Sequence, residues 1–149
     1  MRLAAYEPDI AANLGAMIRI SACMGVGLDV IEPCGFPLSA KAARRAAMDY
    51  IDLTDMQIHD SWAFFQRSYP SSRRVLLTTE GAENLYQFRF QADDILLVGR
   101  ESAGVPSAVH AAVDARIRIP MPGGGRSLNV AVSAAIALSE AGRQLGHMT

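Results

Sequence analysis

Short, uninterrupted apolar runs alternate with helix-forming stretches along this chain, and this alternation most constrains its fold. Residues 75–78 and 95–98 are apolar at nearly every position, which is typical of strands buried on both faces. We expect six strands in all, at residues 3–6, 28–31, 50–53, 75–78, 95–98 and 116–119. Strands of this kind form parallel sheets covered by helices on both faces, so the sequence predicts an α/β fold with a mostly parallel sheet.

Helical spacing and capping residues predict five helices between these strands. The first covers residues 11–24 and ends at Gly25, and a basic second helix begins at Ser39. The others are expected from Asp60 or Ser61 to residue 65, at 106–113 and at 130–145. Residues 81–92 show no clear period, and we predict no regular element there.

Length and composition favour one cytoplasmic domain spanning residues 1–149. Half of the residues are hydrophobic, which is enough for a packed core, and the net charge of −1 argues against a non-specific nucleic-acid coat. A local basic patch stays possible. The sequence begins without a signal-peptide pattern, and its longest uncharged run, at 127–139, is too short to cross a bilayer. The cysteines and histidines have no metal-ligand spacing, so we expect no metal.

Three loops follow predicted strands late in the chain, at residues 79–82, 99–106 and 120–127. In open parallel sheets the ligand crevice lies beyond the carboxyl ends of the strands, so these loops predict a pocket. The last loop contains three consecutive glycines and leads to Ser127 and Asn129, both good helix N-caps. An ordinary strand–loop–helix connection is the alternative. Neither a dinucleotide-binding nor a Walker glycine motif is present.

The sequence allows two interpretations of each of two charged residues, Arg19 and Glu101. Arg19 is the only charge on the first helix, and its guanidinium either reaches solvent or meets an anion at the crevice. Glu101 is either an exposed loop acid or an acceptor for loop N–H groups or a ligand. We expect surface positions for His59, His110 and His147, and a solvated turn at residues 93–94.

Three sequence blocks form an ordered set. They are residues 13–19, with Asn13 and Arg19 six apart; residues 99–106, Gly-Arg-Glu-Ser-Ala-Gly-Val-Pro; and residues 117–121 followed by Arg126-Ser127-Leu128-Asn129. Together they resemble the SpoU branch of the SPOUT class of RNA methyltransferases. The resemblance covers nearly the whole chain and is closest to a minimal subgroup. It implies a deep C-terminal trefoil knot in the α/β fold. It also implies methylation of the ribose 2′-hydroxyl at the wobble cytidine or carboxymethylaminomethyluridine of leucine tRNAs.

The resemblance also assigns roles to residues. S-adenosyl-L-methionine would bind at Leu77, Gly99, Glu101, Gly104, Ile119, Met121, Ser127 and Leu128. Arg19 matches the catalytic arginine, with Asn13 and Asn129 in supporting positions. Phosphate contacts would come from Lys41, Arg44, Arg45 and Arg126, with Arg143 as a further candidate.

The last helix is uncharged until Glu140, which is typical of a helix buried on more than one side. In the family that it resembles, this helix lies in a homodimer interface that builds a composite RNA site. Val132, Ser139 and Gly142 depart from the subgroup pattern, which affects the interface and RNA contacts more than the cofactor. Methylation of another RNA position and a non-catalytic RNA-binding protein of the same fold stay as alternatives.

Overall fold

The computed structural model describes residues 1–39, 41, 45, 47–80 and 82–147. Twelve elements follow one another in the described ranges. They are β1 (Arg2–Tyr6), α1 (Ala11–Met24), β2 (Gly27–Ile31), a 3-10 helix (Met48–Leu53), β3 (Met56–His59), α2 (Trp62–Ser68), β4 (Arg74–Leu77), β5 (Glu83–Asn84), β6 (Ile95–Val98), α3 (Ser107–Ala112), β7 (Ala115–Arg118) and α4 (Val130–Leu145).

The seven described strands form one sheet in the order β3-β2-β1-β6-β4-β7-β5, and each pairing between them is parallel. β1 lies near the middle, where Ala5 is in register with Val30 of β2 and Val98 of β6. All four residues of β6 are buried. The predicted parallel sheet is therefore confirmed, and the carboxyl ends of β4, β6 and β7 lie side by side.

Successive residues of each strand point to opposite faces of the sheet, and helices cover both. On one face Leu3, Leu28 and Leu96 pack in a cluster with α1 and α4. On the other face Ala4 and Leu97 pack in a second cluster that contains Phe65 of α2 and Val109 of α3. The α/β prediction is confirmed, and the trefoil knot stays a prediction.

The fold differs from the sequence prediction at its two sheet edges. Residues 50–53 belong to the 3-10 helix, not to a strand, because the Thr54 hydroxyl donates to the carbonyl of Tyr50 and to that of Ile18 in α1. The edge strand is instead β3, whose sequence Met-Gln-Ile-His lacks the continuous apolar pattern and whose Ile58 is 48% exposed. The other edge, β5, is two residues long and lies in the stretch where no element was predicted.

Two polar residues expected at the surface are buried. The His59 side chain is 4% exposed, and its Nε2 lies 2.7 Å from Asp29 Oδ1. Asp94 is fully buried and accepts from Nε and Nη2 of Arg73 at 2.7 and 2.8 Å. Ion pairing and hydrogen bonding offset the cost of removing these groups from water, which is why the surface prediction was wrong for both.

The described helices include none long and apolar enough to cross a membrane. Within the same described part of the chain, no three His, Cys, Asp or Glu side chains cluster in a way that could hold a metal ion. Lys41, Arg45 and Ala47 are helical, in agreement with the predicted basic helix, while Arg44 lies outside the described residues.

Candidate functional site

A cavity of about 400 Å³ opens at the carboxyl ends of β4, β6 and β7, within the usual range for small-molecule sites. All three predicted loops contribute to its wall. The lining contains each of the eight residues assigned to cofactor binding: Leu77, Gly99, Glu101, Gly104, Ile119, Met121, Ser127 and Leu128. Asn13 and Asn129 also line it. The structure thus brings together Asn13 and Asn129, which are 116 positions apart in the chain.

One side of the cavity is a tight turn over residues 99–104, which we name the 99–104 loop. Arg100 and Gly104 exchange two backbone hydrogen bonds, at 2.9 and 3.0 Å. Gly104 has φ of 62°, a conformation that favours glycine. A Cβ at Gly99 would lie 2.6 Å from the carbonyl carbon of Gly104, so only glycine allows this closure.

A chain of side-chain hydrogen bonds connects three segments around the cavity. Asn129 caps α4, since its Oδ1 accepts from the backbone N–H groups of Ala131 and Val132 at 2.9 and 3.2 Å. Asn129 Nδ2 donates to Asn13 Oδ1 at 2.9 Å, and Asn13 Nδ2 donates to Glu101 Oε1 at 3.1 Å. Of the two predicted caps, Asn129 and not Ser127 begins the helix. The supporting role of Asn13 and Asn129 stays a prediction.

The structure decides between the two readings of Glu101. This side chain is half-buried, and its Oε2 accepts from the backbone N–H of Asp9 at 3.0 Å. Burial, together with the hydrogen bond to the Asp9 side chain, raises the pKa of Glu101. Glu101 is therefore an acceptor within the site, and the alternative of a freely exposed loop acid is wrong.

Arg100 is a cavity residue that the sequence analysis missed. Its guanidinium forms an ion pair with Glu7 and lies 5.9 Å from the ring centroid of Tyr6. Tyr6 ends β1, which is next to β6 in the sheet, and Glu7 directly follows it. No local pattern could have revealed this pairing, because it depends on the neighbouring positions of two strands far apart in sequence.

Arg19 lies away from this cavity wall. α1 places Asn13 on the wall, and six further residues turn the helix by about 600° and advance it by about 9 Å. The Arg19 side chain is exposed, and its guanidinium lies 4.9 Å from the ring centroid of Tyr50 in the 3-10 helix. Within one chain, the structure does not bring the predicted catalytic arginine to the predicted cofactor residues.

Comparison with known proteins identifies the family of this chain. The family described as the SpoU rRNA methylase family matches residues 1–139. This chain belongs to the SpoU methylase family. A tRNA (cytidine(34)-2′-O)-methyltransferase of Beijerinckia indica is 51% identical to it over 146 residues, covering 97% of this chain and 91% of that protein.

Solved structures of related proteins have the same fold. One, from a study of the 2-OH methylation of C/U34 on tRNA, has a TM-score of 0.92 at 41% identity and covers 98% of this SpoU chain and 96% of its own. An AdoMet-bound rRNA methyltransferase of Sinorhizobium meliloti has a TM-score of 0.86 at 26% identity, covering 99% of this chain and 56% of its own. The related structures therefore share their fold with nearly the whole of this SpoU chain.

Most of the side chains predicted to contact RNA phosphates are exposed on this SpoU chain. Lys41, Arg45 and Arg126 are exposed. Arg126 comes directly before Ser127 and Leu128 of the cavity wall. Arg143 instead forms a two-pronged ion pair with Glu140, with both N–O distances at 2.8 Å. Their role in RNA binding stays a prediction.

We expect the two cysteines of this SpoU chain to differ in reactivity. Cys23 is exposed, whereas Cys34 is half-buried. Burial, followed by the negative charges of Glu32 and Glu101, raises the pKa of Cys34 to about 11. Only roughly one Cys34 in a thousand is then thiolate at pH 8. Timed iodoacetamide labelling with peptide mass spectrometry should show Cys23 reacting much faster; equal rates in the folded protein would contradict this, and equal rates in denaturant are the control.

Proposed function

We propose that this chain transfers a methyl group from S-adenosyl-L-methionine to the ribose 2′-hydroxyl of the wobble nucleotide of tRNA, in the cytoplasm. The finer substrate assignment is the wobble cytidine or carboxymethylaminomethyluridine of leucine tRNAs. The observation that carries the proposal is the strand-end cavity, whose wall contains all eight expected cofactor residues. The family membership and the wobble-methylating relative described above support the same activity.

The cavity suits an adenine nucleoside with an amino-acid tail. Leu77, Ile119 and Leu128 provide apolar wall for the adenine and the thioether carbons. The 99–104 loop brings backbone N–H and C=O groups to the same wall, because Gly99 and Gly104 lack side chains there. When bound, S-adenosyl-L-methionine supplies a methyl group on a positively charged sulfur.

Arg19 is proposed to act on the RNA side of the reaction. A ribose hydroxyl is a weak nucleophile near neutral pH and has to lose its proton as it attacks. Arginine stays protonated and is a poor base, but its planar guanidinium can hold a phosphate and stabilise the attacking oxygen. A phosphate oxygen or a water then takes the proton.

A homodimer through α4 would make the site composite. Three large apolar side chains of the cavity region are exposed: Ile10 at 46%, Leu128 at 42% and Val132 at 49%. Burying such a surface against a second copy is favourable, and α4 carries Val132 near its start. Arg19 would then meet the RNA at the junction of two chains, which is consistent with its distance from the wall of its own cavity. Light scattering that shows a monomer at micromolar concentration would contradict the dimer.

We expect Gly99→Ala to weaken cofactor binding by at least tenfold. The added Cβ would lie 2.6 Å from Gly104, so the 99–104 loop has to open. Gly123→Ala is the matched control, because a Cβ there has no neighbour within 4 Å. Calorimetric titration with S-adenosyl-L-homocysteine checks this, and equal affinities in both variants would contradict the assigned role of the loop.

Methyl transfer from tritiated S-adenosyl-L-methionine to total tRNA, followed by nucleoside mapping, tests the proposed function. The expected product is a 2′-O-methylated nucleotide at position 34 of leucine tRNAs. Label at another position would favour the alternative RNA substrate. A protein that binds tRNA but neither S-adenosyl-L-methionine nor S-adenosyl-L-homocysteine would favour the non-catalytic alternative.

A further inference from the structure

One residue off the cavity wall connects the 99–104 loop to the start of the chain. Asp9 is half-buried in the segment between β1 and α1. Its Oδ1 accepts from the backbone N–H of Glu101 at 3.1 Å, and its Oδ2 accepts from the hydroxyl of Ser102. In return, the Asp9 backbone N–H donates to Glu101 Oε2 at 3.0 Å. Three hydrogen bonds therefore join two segments that are 92 residues apart in sequence.

We propose that Asp9 is a positioning residue for the cofactor, which holds the 99–104 loop and the Glu101 side chain in the shape that binds S-adenosyl-L-methionine. The inference rests on the proposed function, since it assumes that the cavity binds this cofactor. Asp9 does not line the cavity and acts only through Glu101 and Ser102.

Contacts outside the 99–104 loop have to fix its position on the sheet, and Asp9 adds to those that join Arg100 to Glu7 and Asn13 to Glu101. The loop's two backbone hydrogen bonds, between Arg100 and Gly104, are internal and close the turn without fixing its position on the sheet. Asp9 binds the tip of the turn through both carboxylate oxygens. Two contacts at different atoms restrain both the translation and the rotation of the tip, whereas a single contact would leave it free to pivot.

Charge makes this anchor stronger than a neutral one. The neighbouring Glu101 carboxyl group, whose own pKa is raised, and the hydrogen bond from the Ser102 hydroxyl lower the pKa of Asp9 to about 2. Asp9 is therefore ionised at neutral pH and acts only as an acceptor. Hydrogen bonds to a charged acceptor are roughly twice as strong as neutral ones.

The backbone around Asp9 packs against Gly35, and this contact restrains the position of the Asp9 carboxylate. A Cβ at Gly35 would lie 2.7 Å from the Asp9 Cβ, and the Gly35 backbone N–H donates to the carbonyl of Pro8 at 2.9 Å. Pro8 itself is buried. Asp9 thus connects the residues that follow β1 to the 99–104 loop, which follows the neighbouring strand β6.

The test is calorimetric titration of the full chain with S-adenosyl-L-homocysteine, alone and with tRNA present. This product of the proposed reaction has no methyl group to transfer, so tRNA stays unmodified. We expect Asp9→Ala to weaken its affinity by about tenfold to a hundredfold, the range for lost hydrogen bonds to a charged group. Asp9→Asn keeps the size and one acceptor oxygen and should lose roughly threefold to tenfold. Ser102→Ala removes one contact only and should lie in the same range.

Asp55→Ala is the control, because Asp55 is also a carboxylate that accepts side-chain hydrogen bonds, but it is exposed and binds Arg2 away from the cavity. It should leave the affinity unchanged. Thermal unfolding midpoints of Asp9→Asn and Ser102→Ala should stay close to that of Asp55→Ala. Lower midpoints with unchanged affinity would assign Asp9 a purely structural role and overturn the inference. If Asp9→Ala fails to fold, Asp9→Asn and Ser102→Ala decide between the two roles. Wild-type protein that binds no S-adenosyl-L-homocysteine, with or without tRNA, would overturn the proposed function itself.

Discussion

Arg19→Ala lowers kcat for methyl transfer to tRNA by about a hundredfold to a thousandfold while cofactor affinity stays unchanged. The magnitude is that of removing one charge-stabilising donor from a reacting centre. The separation of the two effects follows from the structure, because Arg19 lies off the cavity wall and over the ring of Tyr50. Single-turnover kinetics with saturating tRNA measure the first quantity, and calorimetry with S-adenosyl-L-homocysteine measures the second.

Arg67→Ala is the matched control for this prediction. Arg67 is also an exposed arginine that lies over an aromatic ring, 5.5 Å from the centroid of Phe64, but it belongs to α2 on the opposite face of the sheet. Its removal should leave kcat within about twofold, because Arg67 does not line the cavity and an exposed cation–π contact contributes little to stability. Arg19→Lys keeps the charge but loses the planar fork and should fall between the two. An Arg19→Ala enzyme that retained most of its turnover would show that Arg19 is not catalytic.

Asp29→Ala lowers the free energy of unfolding by about 3–5 kcal/mol, the usual cost of breaking a buried ion pair. Asp29 is fully buried on β2 and accepts from Arg2 Nε at 2.6 Å, from the Tyr69 hydroxyl at 2.8 Å and from the His59 ring. Burial, aided by the hydrogen bond to Asp29, raises the pKa of Tyr69 to about 12, so Tyr69 stays a donor. Without Asp29, these donors lose their shared acceptor inside the protein. Urea unfolding followed by circular dichroism measures the loss.

Asp55→Ala tests whether burial is the cause. Asp55 pairs with the same arginine at the same 2.6 Å, but its side chain is 61% exposed. The expected change in the free energy of unfolding is about 0–1 kcal/mol, as for other surface ion pairs. Comparable losses in the two variants would contradict the explanation from desolvation. Folded Asp29→Ala should bind S-adenosyl-L-homocysteine normally, since Asp29 does not line the cavity.

The apolar runs were enough to predict the central strands, because buried parallel strands need side chains that pack on both faces. Predicted strands at 75–78 and 116–119 are displaced by a single residue from β4 and β7. The prediction failed at the edge, where β3 exposes Ile58 and the preceding residues pack against α1 as a 3-10 helix. Edge strands contact one neighbour only, so their sequences carry a weaker pattern.

The parts of the candidate site that have a local sequence pattern, or that lie in the three family blocks, could be predicted from the sequence. Glycines and helix caps mark the cavity loops, and the blocks identify Asn13, Glu101 and Asn129, which the structure joins by hydrogen bonds. Asp9 and Arg100 had no local signal, because each gains its role from a partner across the β1–β6 pairing. The position of Arg19 away from the cavity also could not be predicted from the sequence, since it depends on how α1 packs on the sheet.

The proposed methyl acceptor is one hydroxyl group, and two synthetic leucine tRNAs test it. They are identical except at nucleotide 34, which carries cytidine in one and 2′-deoxycytidine in the other. With tritiated S-adenosyl-L-methionine, we expect close to one methyl group per molecule of the first tRNA and none on the second. Equal labelling of both tRNAs would contradict methylation of the wobble ribose.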